Sequence, residues 1–377
     1  MTDFGLSPSD LTAERILNLT RQELSGTLGK ITIPQSKMCE VTFVVPVFDE
    51  SPQRVERLVK SLGAQTAFRH IEVILVVNNK PDDGSQEWQA AFQRNQTVLN
   101  LPFIRNRMSG ARVMSGGFSV YAIDTSSHGR CPQGSNVGMA RQRGLLEATR
   151  RFAQRGVNGV IIHTDVDCWF EDPTFVERTL WLMKYSPNLV GFAGNCSLEL
   201  QTDETETKGL AEVLEQYLMF RNYGYLYSRI TRGHVRYEPN KALGSCIVHR
   251  AFEGMAVGGF QSINLAEDVY FGRKLTEYAT QHGLRFDHGR KWNLGPMSAM
   301  RISVRTDNSS LSKYLARIDS QDIILVDDAF NPGNEIVLDR AYMDRLITAV
   351  LSFEDGEALL EWLFVISAQA RLRVVGA

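Results

Sequence analysis

The distribution of apolar and polar residues along the chain predicts strands that alternate with helices. Four short apolar runs are typical of buried strands, and they cover 41–47, 71–77, 118–124 and 159–164. Helices are predicted between them, at 52–62, 85–95 and 136–153. Strands that alternate with helices in this way are joined by right-handed crossovers. The pattern therefore predicts an α/β fold whose mainly parallel sheet is covered by helices on both faces.

Polar and acidic side chains collect directly after the predicted strands. The four strand ends carry Phe48-Asp49-Glu50, Asn78-Asn79, Asp124 and Asp165-Val166-Asp167. Open α/β sheets bind ligands in the crevice beyond the carboxyl ends of their strands. We therefore expect these residues to surround a ligand.

The pattern changes on both sides of this region. Residues 1–40 predict a helical lead-in, and a short helix after Pro173 leads to a strand near 189–199. An amphipathic helix is predicted after the acidic run 203–206, and it ends in an aromatic and basic stretch at 223–232. Residues 335–377 predict two helices separated by Gly356. Because no clean linker interrupts the chain, we expect one elaborated domain with helical ends.

Composition and charge exclude several classes of protein. The 41 basic and 43 acidic residues give a net charge of −2, which does not fit a strongly basic nucleic-acid binder. Five widely spaced cysteines without a C-x-x-C pair favour a reducing compartment over a disulfide framework. The first residues lack the pattern of a signal peptide, and no apolar run approaches the roughly 20 residues of a membrane span. We therefore expect a cytoplasmic protein without a transmembrane segment.

Asp165 and Asp167 form a D-x-D triplet at the end of a very apolar strand. Magnesium and manganese prefer oxygen ligands, of which the protein supplies few and phosphate or water the rest. A turn with a helix cap ahead of Pro173 is the alternative interpretation of such a triplet. Its position at a strand end favours a divalent metal site.

Five motifs occur in order between residues 41 and 275. They are VVPVFDES, VVNNKPDDGS, SNVGMARQRG, HTDVDC and VGGFQSINLAEDVYFGRKL. Together they resemble the pattern of glycosyltransferase family 2. The resemblance implies the GT-A fold, a Rossmann-like and mainly parallel sheet flanked by helices, here with helical N- and C-terminal additions. It also implies a metal-dependent, inverting hexosyltransferase that moves a sugar from a nucleoside-diphosphate donor to an acceptor hydroxyl.

The resemblance also assigns domains and partners. Residues 1–40 would be the lead-in, 41–305 the catalytic domain and 306–377 a C-terminal helical extension. Within the catalytic domain, 41–170 would bind the nucleotide sugar and 171–305 the acceptor. The donor would be a UDP- or GDP-sugar, the acceptor a sugar, a lipid-linked or a small molecule, and the cofactor manganese or magnesium. The apolar C-terminal residues from Trp362 are expected to pack on the core, with peripheral membrane contact or homo-oligomer formation as alternatives.

On the donor side, the resemblance places the base and ribose against Pro46, Phe48 and Glu50. Asn78 stands where the family usually has an aspartate that contacts the base. Arg141 matches a basic residue near the diphosphate, with a solvated helix charge as the alternative. Gly138 ahead of it would allow close approach of backbone N–H groups to phosphate. The remaining donor-side matches are Asp165 near the ribose and Asp167 as principal metal ligand with Asp165 beside it. His288 is a candidate for a further metal ligand, with an ordinary surface or capping histidine as the alternative. Ser303, Arg305 and Thr306 are candidates for closing over the diphosphate, with a solvent-facing strand as the alternative.

On the acceptor side, Gly258 and Gly259 precede the pair Glu267-Asp268. Asp268 matches the family's general base, which takes the proton of the attacking hydroxyl. Glu267 would position the acceptor or support Asp268, whereas helix capping is the alternative for both carboxylates. Two other functions remain open. One is a retaining transferase of the glycosyl-glycerate type on the same fold, and the other is a non-catalytic nucleotide-sugar-binding protein.

Overall fold

The computed structural model describes residues 4, 6–25, 31–104, 117–127, 136–200, 245–263, 267–288 and 292–300, and two further strands at 322–326 and 335–339. The chain divides into two compact units. The first comprises Met1–Glu199 and Asn240–Ala299, and the second Leu200–Pro239 and Met300–Ala377. The predicted amphipathic helix after residues 203–206 and the aromatic stretch 223–232 lie outside the described residues.

The first unit contains a large sheet. Its strands are β1 (Val41–Val47), β2 (Ile71–Asn78), β3 (Ser119–Thr125), β4 (Val160–His163), β6 (Leu189–Ala193), β8 (Ile247–Arg250) and β9 (Arg285–His288). Within the described ranges these seven strands lie in the order β3-β2-β1-β4-β8-β6-β9. β8 runs antiparallel to both of its neighbours, and the other strand pairs of this sheet are parallel. The α/β class and the mainly parallel sheet are therefore confirmed.

Helices cover both faces of the sheet. They are α1 (Ala13–Glu23), α2 (Pro52–Gly63), α3 (Gln86–Leu99), α4 (Val137–Gln154), α5 (Phe175–Tyr185), α6 (Ala251–Ala256) and α7 (Glu267–Gln281). Successive strand residues point to opposite faces, so Phe43 joins the core cluster with α2 and Val44 the cluster with α4. The helices predicted between the first four strands are confirmed as α2, α3 and α4. Among the described helices, none is both long and apolar enough to cross a membrane.

The order of the strands creates a crevice beside β1. The chain passes from β1 outward to β2 and β3, and then returns to the other side of β1 as β4. Parallel strands that diverge in this way leave a gap at their carboxyl ends, which is where such sheets bind ligands. Val47 is paired with Val77 at the end of β1, and His163 is paired with Val44 at the end of β4. The candidate residues that follow these strands therefore share one edge of the sheet.

The predicted strand near 189–199 is two strands. β6 ends at Ala193, and β7 (Ser197–Leu200) belongs to a three-stranded sheet with β5 (Cys168–Trp169) and β10 (Met297–Met300), in the order β5-β10-β7. The break arises because the backbone changes partners. The Gly194 N–H still donates to the carbonyl of Cys246, directly before β8 of the large sheet, at 2.8 Å. The next N–H, of Asn195, donates to the Leu294 carbonyl at 2.7 Å.

Two terminal predictions need correction. β11 (Asp322–Val326) and β12 (Glu335–Asp339) form an antiparallel pair, so the helix predicted to begin at residue 335 is wrong over this stretch. Both runs are rich in β-branched residues, and the ladder satisfies their backbone groups. In the predicted helical lead-in, 31–39 is not helical, because side chains of α4 bind its backbone instead. Arg151 Nη1 donates to the Ile33 carbonyl at 2.7 Å.

Candidate active site

The D-x-D triplet projects from the end of β4 into the crevice. Val166 is buried, whereas Asp165 and Asp167 on either side of it are partly exposed. Thr164 fixes the backbone just before them. Its N–H donates to the Val44 carbonyl of β1 at 3.2 Å, and its hydroxyl donates to the Ser245 carbonyl at 2.8 Å. Two carboxylates thus stand on an anchored strand end with access to a ligand.

Arg141 of α4 joins this strand end to the start of α7. Its Nη2 donates to Asp165 Oδ1 at 2.7 Å, and its Nε donates to Glu267 Oε1 at 3.1 Å. The side chain is 2% exposed. The solvated helix charge considered as an alternative is therefore wrong for Arg141, because two carboxylates from distant segments enclose it. The bridge brings together three of the residues that the sequence selects: Arg141, Asp165 and Glu267.

The bridge compensates charge in a place with little water. Burial opposes the charge of Arg141, but Asp165, Glu267 and Asp268 outweigh this effect and raise its pKa. Burial also raises the pKa of Glu267 to about 7, and Asp268 acts in the same direction while Arg141 opposes it. The Arg141 Nη1 atom is buried and has no hydrogen-bond partner among the described residues. The cluster therefore depends on Arg141 for its charge balance and retains one donor that a ligand can satisfy.

Asp268 occupies the first turn of α7, next to this bridge. Its carboxylate is partly exposed, whereas Glu267 before it is buried. Asp268 Oδ1 accepts the N–H of Val269 at 2.8 Å, so the carboxylate also satisfies a helix-terminal donor, as the capping interpretation predicts. A carboxylate that accepts one backbone hydrogen bond can still take a proton, so capping and chemistry are compatible at this position.

The glycine loop ahead of α7 docks on the first turns of α4. Gly258 and Gly259 have φ angles of 77° and 70°, which residues other than glycine rarely adopt. The N–H of Phe260 donates to Gln142 Oε1 at 2.8 Å, and a Cβ on Gly259 would lie 2.0 Å from the same oxygen. The acceptor-side glycines thus position the segment that leads to Glu267-Asp268. Gln142 was not predicted from the sequence, where its only signal is a polar residue within the motif GMARQRG.

Gly138 makes a close contact of a different kind from the one that the sequence predicts. A Cβ at this position would lie 2.0 Å from the backbone carbonyl oxygen of Gln261. The close approach that requires glycine is therefore made by the docked loop.

We expect Gly138→Ala to lower the free energy of unfolding by about 1–3 kcal/mol, the usual range for overpacking. The methyl group would push Gln261 away from α4. Chemical denaturation measures this effect. Gly63→Ala is the matched helical control, because its Cβ would meet Phe118 at an ordinary 3.5 Å. Equal stability of the two variants would contradict the clash at Gly138.

On the donor side, the ends of β1 and β2 lie next to each other. Pro46 is paired with Val76 within the sheet, and Phe48 follows the end of β1. Glu50 is fully buried and forms an ion pair with Arg54 at 3.1 Å. Asn78 at the end of β2 is 4% exposed, and its Oδ1 has no hydrogen-bond partner among the residues described. Asn78 thus offers a buried acceptor beside Phe48.

A histidine pair that the sequence analysis missed lies beneath the cluster. The Nε2 atoms of His163 and His249 are 3.1 Å apart, and both rings are fully buried. Burial lowers the pKa of His249 to about 4, and burial together with His249 and Arg141 lowers the pKa of His163. Two neutral rings can share one hydrogen bond, and Phe260 packs on His163 with ring centroids 4.6 Å apart. Two isolated histidines 86 positions apart give no sequence signal of such a pair.

The remaining candidates cannot be placed. His288 lies in β9 with its side chain outside the described residues, and Ser303, Arg305 and Thr306 lie outside them altogether. In the described part of the chain, no group of three or more His, Cys, Asp or Glu side chains is arranged to hold a metal ion. Asp165 and Asp167 still suit magnesium or manganese, because such ions take one or two carboxylates and complete their shell with phosphate and water.

Solved structures of glycosyltransferases are similar to this chain. The mannosyltransferase PcManGT from Pyrobaculum calidifontis, in complex with GDP-Man and Mn2+, is 12% identical over 96% of this chain and 94% of its own, with a TM-score of 0.38. S. aureus TarS in complex with UDP is 10% identical over 74% and 71%, with a TM-score of 0.35. Glucosyl-3-phosphoglycerate synthase from Mycobacterium tuberculosis, in complex with phosphoglyceric acid, is 12% identical over 82% and 88%, with a TM-score of 0.38.

No protein-family model and no curated protein sequence matches the chain. The fold therefore rests on the strand order and pairing, and the site on its own contacts.

Proposed function

We propose that this chain is a nucleotide-sugar glycosyltransferase with a GT-A fold, similar to family 2. It would transfer a hexose from a nucleoside-diphosphate donor to an acceptor hydroxyl with inversion. The observation that supports this function best is the Arg141 bridge. It holds Asp165, at the ligand-binding end of β4, together with Glu267 at the start of α7. One guanidinium thereby joins Asp165, a carboxylate of the proposed metal site, to Glu267, the neighbour of the proposed general base.

Asp165 and Asp167 would hold a divalent ion with the donor diphosphate. Asp165 Oδ1 accepts a hydrogen bond from Arg141, and Asp167 would be the principal ligand, as the resemblance to family 2 implies. When bound, the ion stabilises the negative charge that grows on the leaving diphosphate. The buried Nη1 of Arg141 is the donor that a diphosphate oxygen at this place would satisfy.

The nucleotide base would lie at the ends of β1 and β2, against Pro46, Phe48 and Asn78. The buried Asn78 Oδ1 requires a donor, and the ring N–H groups of both uracil and guanine provide one. UDP- and GDP-sugars are therefore the donors to test first. GDP-mannose and UDP are also the nucleotides in two of the similar structures.

Asp268 would act as the general base. Its partly exposed carboxylate can take the proton of the acceptor hydroxyl while that oxygen attacks the anomeric carbon. The electron pair of the broken sugar–phosphate bond leaves with the nucleoside diphosphate. Glu267 is buried and bound to Arg141, so it would hold the start of α7 in place. The acceptor, which would be a sugar, a lipid-linked or a small molecule, would approach Asp268, at the start of the helix that the buried Gly258 and Gly259 precede.

A thermal-shift panel of UDP, GDP, UDP-glucose and GDP-mannose, with and without Mn²⁺, tests donor binding. A ligand at 100 times its Kd adds about 2.7 kcal/mol to the free energy of unfolding, so one nucleotide family should raise Tm by roughly 5 °C. The rise should require Mn²⁺ and disappear in Asp167→Asn, which keeps the shape of the side chain but removes its charge. A panel without any shift would contradict the proposed function. A shift that is equal with and without Mn²⁺ would contradict the metal site. The anomeric configuration of the product, read by NMR, distinguishes inversion from retention.

A further inference from the structure

One buried side chain of α3 ties together the ends of β1 and β2. Asn95 is fully buried, and its amide bonds to both strand ends. Its Oδ1 accepts the N–H of Asp49 at 3.2 Å, and its Nδ2 donates to the carbonyl of Asn78 at 3.0 Å. These two backbone groups flank Phe48 and the side chain of Asn78. Asn95 therefore controls the spacing of two segments while it lies behind them.

Asp49 has a left-handed backbone conformation, which few residues other than glycine adopt, although aspartate enters it more readily than most. Its φ angle is 53°, a region that residues with a Cβ enter at a cost. Two neighbouring residues of α3 hold it there, because Asn95 binds its N–H and Arg94 Nε forms an ion pair with its carboxylate. Strained residues persist where their surroundings fix them, and such strain is concentrated at ligand sites.

The chemistry at this position suits an amide. The regular pairing of β1 with β2 ends at Val47 and Val77, so groups beyond it need other partners. The N–H of Asp49 needs an acceptor, and the carbonyl of Asn78 nearby needs a donor. An Asn side chain provides both, whereas an aspartate provides only acceptors and an alanine neither.

We propose that Asn95 is a positioning residue for the nucleotide, a role that rests on the proposed function. Asn95 keeps Asp49 in its left-handed conformation and holds the end of β2 beside it. Phe48 and Asn78 then face the base with a fixed separation. Without Asn95, Asp49 relaxes to an ordinary conformation and the two walls of the base pocket separate. The residue acts through Phe48 and Asn78 and does not touch the nucleotide.

The test is nucleotide affinity in the full-length chain, measured by calorimetry with Mn²⁺. We expect Asn95→Ala to raise the Kd of the preferred nucleotide about tenfold. The donor KM should rise by a similar factor, while kcat at saturating donor changes less than about threefold. If Asn95 only supported the fold, its replacement would lower stability but leave the donor KM of the folded variant at the wild-type value. Circular dichroism at the assay temperature verifies that each variant is folded under the conditions of the binding measurement.

Asn158 provides a matched control at the opposite end of the sheet. Its Oδ1 accepts the N–H of Phe252 at 2.9 Å, and its Nδ2 donates to Glu253 at 2.8 Å. Asn158→Ala therefore also removes two hydrogen bonds of an asparagine, here a partly buried one that precedes β4 at the end opposite to its ligand-binding end. This variant should lose stability as Asn95→Ala does, and it should keep the wild-type Kd.

Two further variants keep the role testable if Asn95→Ala does not fold. Arg94→Gln removes the second restraint on Asp49 from an exposed position and should weaken nucleotide binding about threefold. In an Asp49→Gly background, the penalty of Asn95→Ala on Kd should shrink, because glycine enters the left-handed region freely.

The outcomes separate the two proposals. If wild type binds a nucleotide while folded Asn95→Ala and Arg94→Gln bind it equally well, the positioning role is overturned and the proposed function stands. If wild type binds no nucleotide in the panel, the proposed function itself is overturned, and the positioning role with it. Weaker binding in the Asn95 variant, with wild-type binding in the Asn158 variant, supports both.

Discussion

Asp268→Asn is expected to lower the rate of sugar transfer about 10³-fold, within the range of about 10²–10⁴ that general-base catalysis provides. The amide has nearly the same shape as the carboxylate, but it cannot take a proton from the acceptor hydroxyl. Its Oδ1 can still accept the Val269 N–H, which Asp268 binds at 2.8 Å, so the start of α7 should stay intact. Nucleotide affinity should remain within about twofold of wild type, because the proposed base and diphosphate contacts lie on other segments.

Single-turnover transfer and calorimetry measure these two quantities. Glu14→Gln is the control for the loss of a carboxylate from a first helical turn, since Glu14 occupies that position in α1. The control should lose at most about 1 kcal/mol of stability through the helix dipole and keep full activity. A wild-type rate in Asp268→Asn would exclude Asp268 as the base. The capping interpretation of this residue would then be sufficient.

Arg141→Met is expected to lower the free energy of unfolding by about 3–5 kcal/mol, the usual cost of removing one partner from a buried ion pair. Glu267 would remain buried without its guanidinium, and Asp165 would lose the bond that orients it. Transfer should fall to background even where the variant is folded, because both proposed catalytic carboxylate pairs depend on this bridge. Arg141→Lys should rescue little, since one ammonium cannot reproduce the fork that contacts both carboxylates.

A double variant and a control variant separate the effect of Arg141 on stability from its effect on transfer. Adding Glu267→Gln to Arg141→Met should recover part of the stability, because it removes the cost of either burying an unpaired carboxylate or protonating it, but it should not recover transfer. Arg151→Met removes another buried arginine of α4, whose Nε donates to Glu72 Oε1 at 2.9 Å. It should cost a similar amount of stability and leave donor affinity intact. Arg141→Met and Arg151→Met with equal activity in their folded states would show that the Arg141 bridge supports only the fold.

The apolar runs of the sequence predicted the central strands because both faces of those strands are covered. Every residue of β1 and of β2 is buried, so the composition of these segments reflects their environment directly. The same argument placed Asp165 and Asp167 at the end of β4. The antiparallel pair of β11 and β12 was missed, because runs of four and three apolar residues have no period that distinguishes a strand from a helix segment.

The sequence also brought the right residue types to the candidate site without showing how they meet. It selected Arg141, Asp165 and Glu267 separately and assigned Arg141 to phosphate. The bridge joins residues that lie 24 and 126 positions apart. Local periodicity contains no information about a contact of that kind, and the buried pair His163–His249 was missed for the same reason.

The sequence by itself therefore determined the α/β class, the central strands and the acidic residues at their ends, because each of these follows from local burial and spacing. Only the tertiary structure decided that β8 lies between β4 and β6, that the loop at Gly258 docks on α4, and that Asn95 connects two strand ends. These features depend on backbone and side-chain groups that meet across long separations. Such groups find their partners only when the packed sheet brings them within hydrogen-bond distance.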